Sequence, residues 1–311
     1  MRPLIFIGTT NLDIVFYSEA LPSVGQSLIG TIEEFGGGKA ANQAVAAARL
    51  GGEPLFATML GEDAAADSLV RELAAVGVQT SKVGRKSGAT SGKAVILVGA
   101  DGGNMIGIDP GANEAFDPDD MRLTMNDVPE DAVMVVEMGL PVATCRAAFE
   151  NKGDRLLIFN PAPVRAPLTA EDCKNIDIIT PNETEAEALT GQKVASIDQA
   201  FSAAAQLYDR GIAAVAITLG ADGVVYLDAE HRIHQQAIAV DAVDTTAAGD
   251  AFNGALAVAV ARGMAVEDAL RFAVATASLS TTRKGAQTSM PTEQEVNRFL
   301  AEKGALSDAV I

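Results

Sequence analysis

Short runs built from Ile, Val, Leu and Phe alternate with Ala-rich stretches of helical length through most of this chain, and that alternation constrains its fold most tightly. The runs are Leu4–Gly8, Leu55–Met59, Val133–Glu137, Leu156–Asn160, Ile176–Thr180 and Ala213–Leu219, and they are mostly or wholly apolar. A strand that is apolar on both faces must be covered on both, which is the condition of a parallel strand inside an α/β domain. Helices are expected at Ala40–Leu50, Ala64–Val76, Ala143–Lys152, Ile197–Arg210 and Ala248–Arg262, then at Val266–Thr281 and Thr292–Glu302. The order implies an α/β fold: a doubly wound, mostly parallel sheet flanked by helices.

Two segments break the rhythm. Val15–Gly36 and Val78–Ile108 are strand-like but carry Gly, Ser and alternating polar residues, with no helix between their strands. They are expected to form a small antiparallel β lid (15–36 and 78–108) on a main domain made of 1–14, 37–77 and 109–311. A half-exposed sheet needs its other face covered, by substrate, by the main domain or by a second subunit.

At 311 residues the chain is long enough for one large core or two modest ones. Its 41 acidic against 23 basic residues leave a net charge of −18. No basic block exists to displace counterions from nucleic acid, and an anionic membrane surface is disfavoured for the same reason. Cys145 and Cys173 are too few and too far apart for a disulfide scaffold or a zinc site. The first sixteen residues resemble neither a signal peptide nor a membrane span, so a cytoplasmic setting is the expectation.

The strongest chemical signal is Asp244-Thr245-Thr246-Ala247-Ala248-Gly249-Asp250, read as following a strand at Ile238–Val243 and opening an apolar helix. Such a turn aims backbone N–H groups at one point, reinforced by the helix dipole, and so suits a phosphate. Asp250 then stands beside that anion as a candidate base for an attacking hydroxyl. The alternative is that Asp244 or Asp250 merely caps the helix.

Gly36-Gly37-Gly38-Lys39-Ala40-Ala41-Asn42 allows close backbone approach to a ligand, with a mobile positive charge at Lys39. It is neither a Walker A loop nor a dinucleotide fingerprint. Asn182-Glu183-Thr184-Glu185 places Asn182 and Glu185 on one helical face, where they either cap the helix or hold waters of a phosphate-bound Mg²⁺. Thr218-Leu219-Gly220-Ala221-Asp222-Gly223 lies at the carboxyl end of a buried strand, the edge where open α/β sheets bind ligands. Asn11-Leu12-Asp13 follows the first strand and suits either a polyol or a turn. His231 and His234 are read as surface residues, and Asp117–Asp120 as a helix N-terminus.

Taken in order, Asn-x-Asp, Gly-Gly-Lys-x-Ala-Asn, Asn-Glu-Thr-Glu, Thr-Leu-Gly-x-x-Gly and Asp-Thr-x-Ala-Ala-Gly-Asp resemble the ribokinase branch of the PfkB sugar-kinase family. The likeness covers essentially the whole chain and includes Thr282-Arg283-Lys284-Gly285-Ala286-Gln287. It implies a ribokinase-like fold and ATP-dependent phosphorylation of the 5-hydroxyl of D-ribose. Asp250 would be the general base, and the backbone of Ala247, Ala248 and Gly249 the anion hole for the moving phosphoryl group. Asn182 and Glu185 would serve the ATP phosphates and Mg²⁺. Thr218, Gly220, Asp222, Gly223 and Gly249 would line the nucleotide site, with Val274 near the adenine. Asn11, Asp13, Gly38, Lys39, Asn42 and Asp250 would hold the sugar.

The resemblance also implies a K⁺ site using the Asp244 carboxylate, carbonyls of Thr246, Ser280, Arg283 and Gly285, and the Ser289 hydroxyl. It further implies a homodimer paired through the lid. One departure bears on the sugar: ribokinases usually carry a sugar-contacting Glu where this chain has Gly139, and the nearest carboxylate is Glu137. Two residues along a strand is roughly 6.5 Å, too far to replace that contact without a register shift. Position 40 is Ala where Gly is usual, and 246 is Thr. The same chemistry on deoxyribose, a hexose or a nucleoside is the nearest alternative. A nicotinamide oxidoreductase lacks its glycine spacing here, and a non-catalytic sugar-binding protein would not need Asp250.

Overall fold

The computed structural model describes residues 1–307. Its strands are β1 (Leu4–Ile7), β2 (Asn11–Tyr17), β3 (Thr31–Gly37), β4 (Leu55–Gly61), β5 (Gln79–Lys86), β6 (Gly92–Val98), β7 (Asn104–Asp109), β8 (Val133–Glu137), β9 (Leu156–Asn160), β10 (Ile178–Ile179), β11 (Ala214–Thr218), β12 (Val224–Leu227) and β13 (Arg232–Gln235). The helices are α1 (Lys39–Arg49), α2 (Ala64–Ala75), α3 (Pro118–Met125), α4 (Val142–Glu150), α5 (Ala170–Asn175), α6 (Glu183–Thr190), α7 (Ile197–Asp209), α8 (Ala248–Ala261), α9 (Val266–Ser280) and α10 (Glu293–Ser307).

Nine strands form one sheet in the order β13-β12-β11-β10-β9-β8-β1-β4-β5. It is parallel from β11 to β5, and β12 and β13 add an antiparallel edge. The apolar runs occupy its centre because each needs cover on both sides. One core, with Phe6, Phe56, Val135 and Ile158, packs against α1, α8 and α9. The other, with Ile5, Met134, Phe159 and Ile217, packs against α4 and α7. Polar caps start several helices: Asp63 accepts from Ala66 N–H, and Asp117 and Thr169 form capping boxes with Asp120 and Asp172.

A second sheet stands apart in the order β3-β2-β6-β7. Its outer pairs are antiparallel, while the central β2–β6 pair is parallel. Two expectations change. Gln79–Lys86, read with the small sheet, pairs parallel with β4 and forms the edge of the large one. Ile238–Val243 forms no strand. Its inward side chains Ile238 and Val240 pack on the core, producing the strand-like alternation, but no neighbouring strand offers a ladder beyond β13.

Candidate active site

The carboxyl ends of β9, β10 and β11 and the first turns of α1 and α8 surround one cavity of about 200 Å³. Lys39, Asn182, Glu185, Thr218, Ala247, Ala248, Gly249 and Asp250 line it, so motifs far apart in the chain meet at one point. This is the sheet edge at which an open α/β fold receives its ligand.

Asp250 lies in the first turn of α8 and is buried. Asn42 Nδ2 donates to its Oδ2 at 2.9 Å, and Gln43 Nε2 to its Oδ1 at 3.1 Å. Burial pushes the carboxyl above its ordinary range, while Lys39 and the two amides pull the other way. Such a group is a better base than an exposed carboxylate. Asp250 does not cap its helix: the N-cap is Ala247, which makes no side-chain cap bond.

Ala247 has φ 59°, the only positive φ outside glycine among the described residues. A left-handed alanine costs about 1 kcal/mol or more. It bends the turn into α8 so that Ala247, Ala248 and Gly249, with their backbone N–H groups, line the cavity. Those of Ala247 and Gly249 donate to no described residue, whereas that of Ala248 bonds the Thr245 carbonyl at 3.2 Å. The turn is braced by Asn253, whose Nδ2 donates to the Gly249 carbonyl at 2.9 Å and whose Oδ1 accepts from Thr180 Oγ1 at 2.6 Å.

Asn182 and Glu185 form a capping box on α6, each side chain accepting the other's backbone N–H at 2.9 Å. The cap and the cavity wall are thus the same residues. Burial raises the Glu185 carboxyl. Among the described residues no three of His, Cys, Asp and Glu cluster as a metal cage. A Mg²⁺ fits here only in its usual manner, through phosphates, waters and one carboxylate.

The sugar candidates lie on the neighbouring side. Gly38 has φ 93°, and a Cβ there would fall 2.4 Å from Thr10 Cα, so only glycine lets α1 start so close to the β1–β2 turn. The Asp13 carboxylate faces Gly37, where a Cβ would sit 2.1 Å from its Oδ2. Burial pushes its carboxyl up to about 6. Asn42 Oδ1 is buried without a partner, an acceptor open to a hydroxyl.

Asp244 ties two loops together. Its Oδ1 accepts from Thr246 N–H at 2.9 Å and its Oδ2 from Gly285 N–H at 2.8 Å. The Ser289 hydroxyl donates to Ala286 at 2.8 Å and keeps its lone pairs. The carbonyls of Thr246, Arg283 and Gly285 accept from no described residue, while that of Ser280 accepts from Arg283 N–H at 3.3 Å. A carboxylate with orphaned carbonyls fits a monovalent cation.

Not every candidate reaches the cavity. Val274 is buried in the core on α9, and Gly220 and Asp222 form a short 3₁₀ turn beyond β11, ahead of Gly223. Other residues of the site escaped the sequence reading. Gln43 Nε2 joins Asp250 to Asn160 Oδ1 at 3.1 Å, and Asn160 Nδ2 donates to the Thr180 carbonyl at 3.1 Å. Asn160 and Thr180 end parallel strands, the one signal that marked them. Asn113 Nδ2 donates to Asn11 Oδ1 at 2.9 Å and carried no signal at all.

The pfkB family carbohydrate kinase model matches residues 1–293. The chain is 37% identical to a ribokinase of Haemophilus influenzae over 303 residues, covering 96% of this chain and 98% of that protein. It is 35% identical to a deoxyribokinase of Salmonella typhi, covering 95% of this chain and 97% of that protein. A ribokinase structure from Thermotoga maritima superposes with a TM-score of 0.87 at 34% identity, covering 97% of this chain and 100% of that one. An Arabidopsis thaliana ribokinase complexed with ribose and ATP gives 0.86 at 33% identity, covering 96% and 99%. The chain belongs to the pfkB family of carbohydrate kinases and is an ATP-dependent sugar kinase.

Proposed function

We propose that the chain transfers the γ-phosphoryl group of ATP to the 5-hydroxyl of D-ribose, giving ribose 5-phosphate and ADP. The observation that carries this reading is Asp250, a buried, amide-held carboxylate in the same first turn as unpaired N–H groups at a helix N-terminus. Asp250 takes the proton of the attacking hydroxyl, whose oxygen forms the new bond to phosphorus as the bond to the ADP oxygen breaks. The N–H groups of Ala247 and Gly249 face the charge on the moving phosphoryl group. Asn182, Glu185 and Thr218 meet the ATP phosphates, and Gly220, Asp222 and Gly223 border the nucleotide. Asn11, Asp13, Gly38, Lys39 and Asn42 bind the sugar hydroxyls.

Mg²⁺ held by the phosphates beside Glu185 would neutralise their charge. K⁺ between Asp244 and the 280–289 loop would stiffen the anion-hole turn from outside the substrate path. The small sheet acts as a lid over the sugar. Its exposed apolar side chains, among them Ile32, Val95, Met105, Ile106 and Ile108 at 49–66% exposure, favour pairing with the lid of a second copy. An ATP-consuming reaction suits a cytoplasmic setting.

2-Deoxyribose is the second reading, favoured by the deoxyribokinase relative and by the absence of a side chain at Gly139. ADP release measured with ribose, 2-deoxyribose, a hexose and a nucleoside separates the two. Ribose is expected to give the highest kcat/KM. A tenfold preference for deoxyribose selects the second reading, and no turnover with any sugar removes both.

A further inference from the structure

Strand β8 ends at Glu137, whose side chain is 0% exposed. Among the described residues no cation pairs with its carboxylate, which is held by two backbone N–H groups. Thr9 N–H donates to Oε1, and Gly139 N–H donates to Oε2 at 2.6 Å. Burial drives the carboxyl upward, opposed first by the hydrogen bonds from Thr9 and Gly139 and then, from a distance, by Lys39. A buried carboxylate without a cation works against the fold. Its placement therefore invites a functional explanation.

The two donors belong to different walls of the site. Thr9 opens the turn from β1 to β2, which delivers Asn11 and Asp13, and Gly139 lies in the loop from β8 to α4. Thr9 also reaches α1: its carbonyl accepts from Ala41 N–H at 3.3 Å, in the turn that carries Lys39 and Asn42. Thr10 adds a bond from its Oγ1 to the Gly37 carbonyl at 3.2 Å. One carboxylate therefore holds the node at which both groups of sugar candidates are attached.

The surrounding sequence is cut to admit it. A Cβ at Gly8 would fall 2.5 Å from Glu137 Cγ and Oε1, and one at Gly139 would fall 2.6 Å from Oε2 and 2.7 Å from Thr9 Cγ2. The Glu137 carboxylate thus fills the place where a residue-139 side chain would begin, so the 6.5 Å separation expected along an ideal strand is bridged by the side chain itself. We infer that Glu137 is a positioning residue for the sugar: by fixing Thr9 and Gly139 it sets the spacing between Asn11 and Asp13 on one side and Lys39 and Asn42 on the other. The inference rests on the sugar-kinase reading above and deepens it.

The test is steady-state kinetics and thermal melting of Glu137→Gln and Gly139→Ala beside the parent enzyme. A glutamine accepts from only one of the two N–H groups and presents its own amide hydrogens to the other. The Gly139→Ala change keeps the charge and displaces the carboxylate. Both variants are expected to raise the sugar KM at least about fivefold, with kcat and the ATP KM within about twofold. Glu137→Gln is expected to keep Tm within about 3 °C, because removing a buried charge offsets the one N–H group left without an acceptor. A sugar KM within twofold of the parent in both variants, or a joint loss of sugar, ATP and turnover parameters, overturns the inference. A parent enzyme that phosphorylates no sugar overturns the underlying reading and this inference with it.

Discussion

Asn42 and Asp250, 208 positions apart in sequence, are joined by a 2.9 Å hydrogen bond that fixes where the Asp250 carboxylate points. Asn42 Nδ2 holds Oδ2, and Gln43 from the next position on α1 holds Oδ1. Two adjacent helical residues usually face different directions, yet both reach one carboxylate because α1 and α8 pack against each other. Removing one donor leaves a buried charge less satisfied. Gln43→Met is therefore expected to raise the Asp250 carboxyl further, and a charge-assisted hydrogen bond is typically worth about 1.5–3 kcal/mol, or about one pH unit or more. The acid limb of the pH profile of kcat/KM should move upward by that amount. An unmoved limb would disconnect Gln43 from the base.

Asp13 gives a separate pH signature. Burial pushes its carboxyl up from 3.8 to about 6, so the folded state favours the protonated form. Its charge therefore destabilises the fold above about pH 6, and that penalty is relieved as pH falls from about 6 towards 3.8. Sugar binding runs in the opposite direction, since only the carboxylate leaves both oxygens free to accept and makes charge-assisted bonds to hydroxyls. The sugar KM is expected to rise as pH falls through about 6, and Asp13→Asn should abolish that step at a uniformly higher KM. A step that survives the substitution would assign it to another group.

Much of the fold could be read in advance because its signals are local. The all-apolar runs, the Ala-rich helices and the caps at Asp117 and Asn182 each follow from a few neighbouring residues. Failures arose where a partner far along the chain decides the outcome. Gln79–Lys86 looks like its lid neighbours, but pairing with β4 puts it in the large sheet. Ile238–Val243 has the right alternation and no strand beside it. In the site, motifs of unusual composition were visible, whereas Gln43, Asn160, Thr180 and Asn253 are ordinary polar residues that matter only through the bonds linking them. Glu137 reaches the place of a residue-139 side chain through χ angles that strand spacing does not describe.

The cation reading separates on ion size. Asp244 bridges Thr246 and Gly285, so a K⁺ among the neighbouring carbonyls would hold the turn whose N–H groups are proposed to meet the phosphoryl group. Preorganised donors of this kind are worth several kcal/mol only while their geometry is kept. Activity at equal ionic strength is expected to be highest in potassium or caesium chloride and clearly lower in sodium or tetramethylammonium chloride. Equal rates in potassium and tetramethylammonium would remove the cation, and Asp244→Ala should then lower Tm rather than kcat.

The account stands most directly on Asp250 as the base. Asp250→Asn keeps the shape and the neighbours of the side chain while removing its ability to take a proton. Calorimetric titration of the variant with sugar and with ATP, read beside its steady-state kcat, is the decisive measurement. Affinities close to those of the parent together with a kcat reduced about 10²–10⁴-fold are expected. A variant that binds both substrates and retains more than about a tenth of the parent kcat would contradict the assignment, because a positioned base contributes at least about a hundredfold.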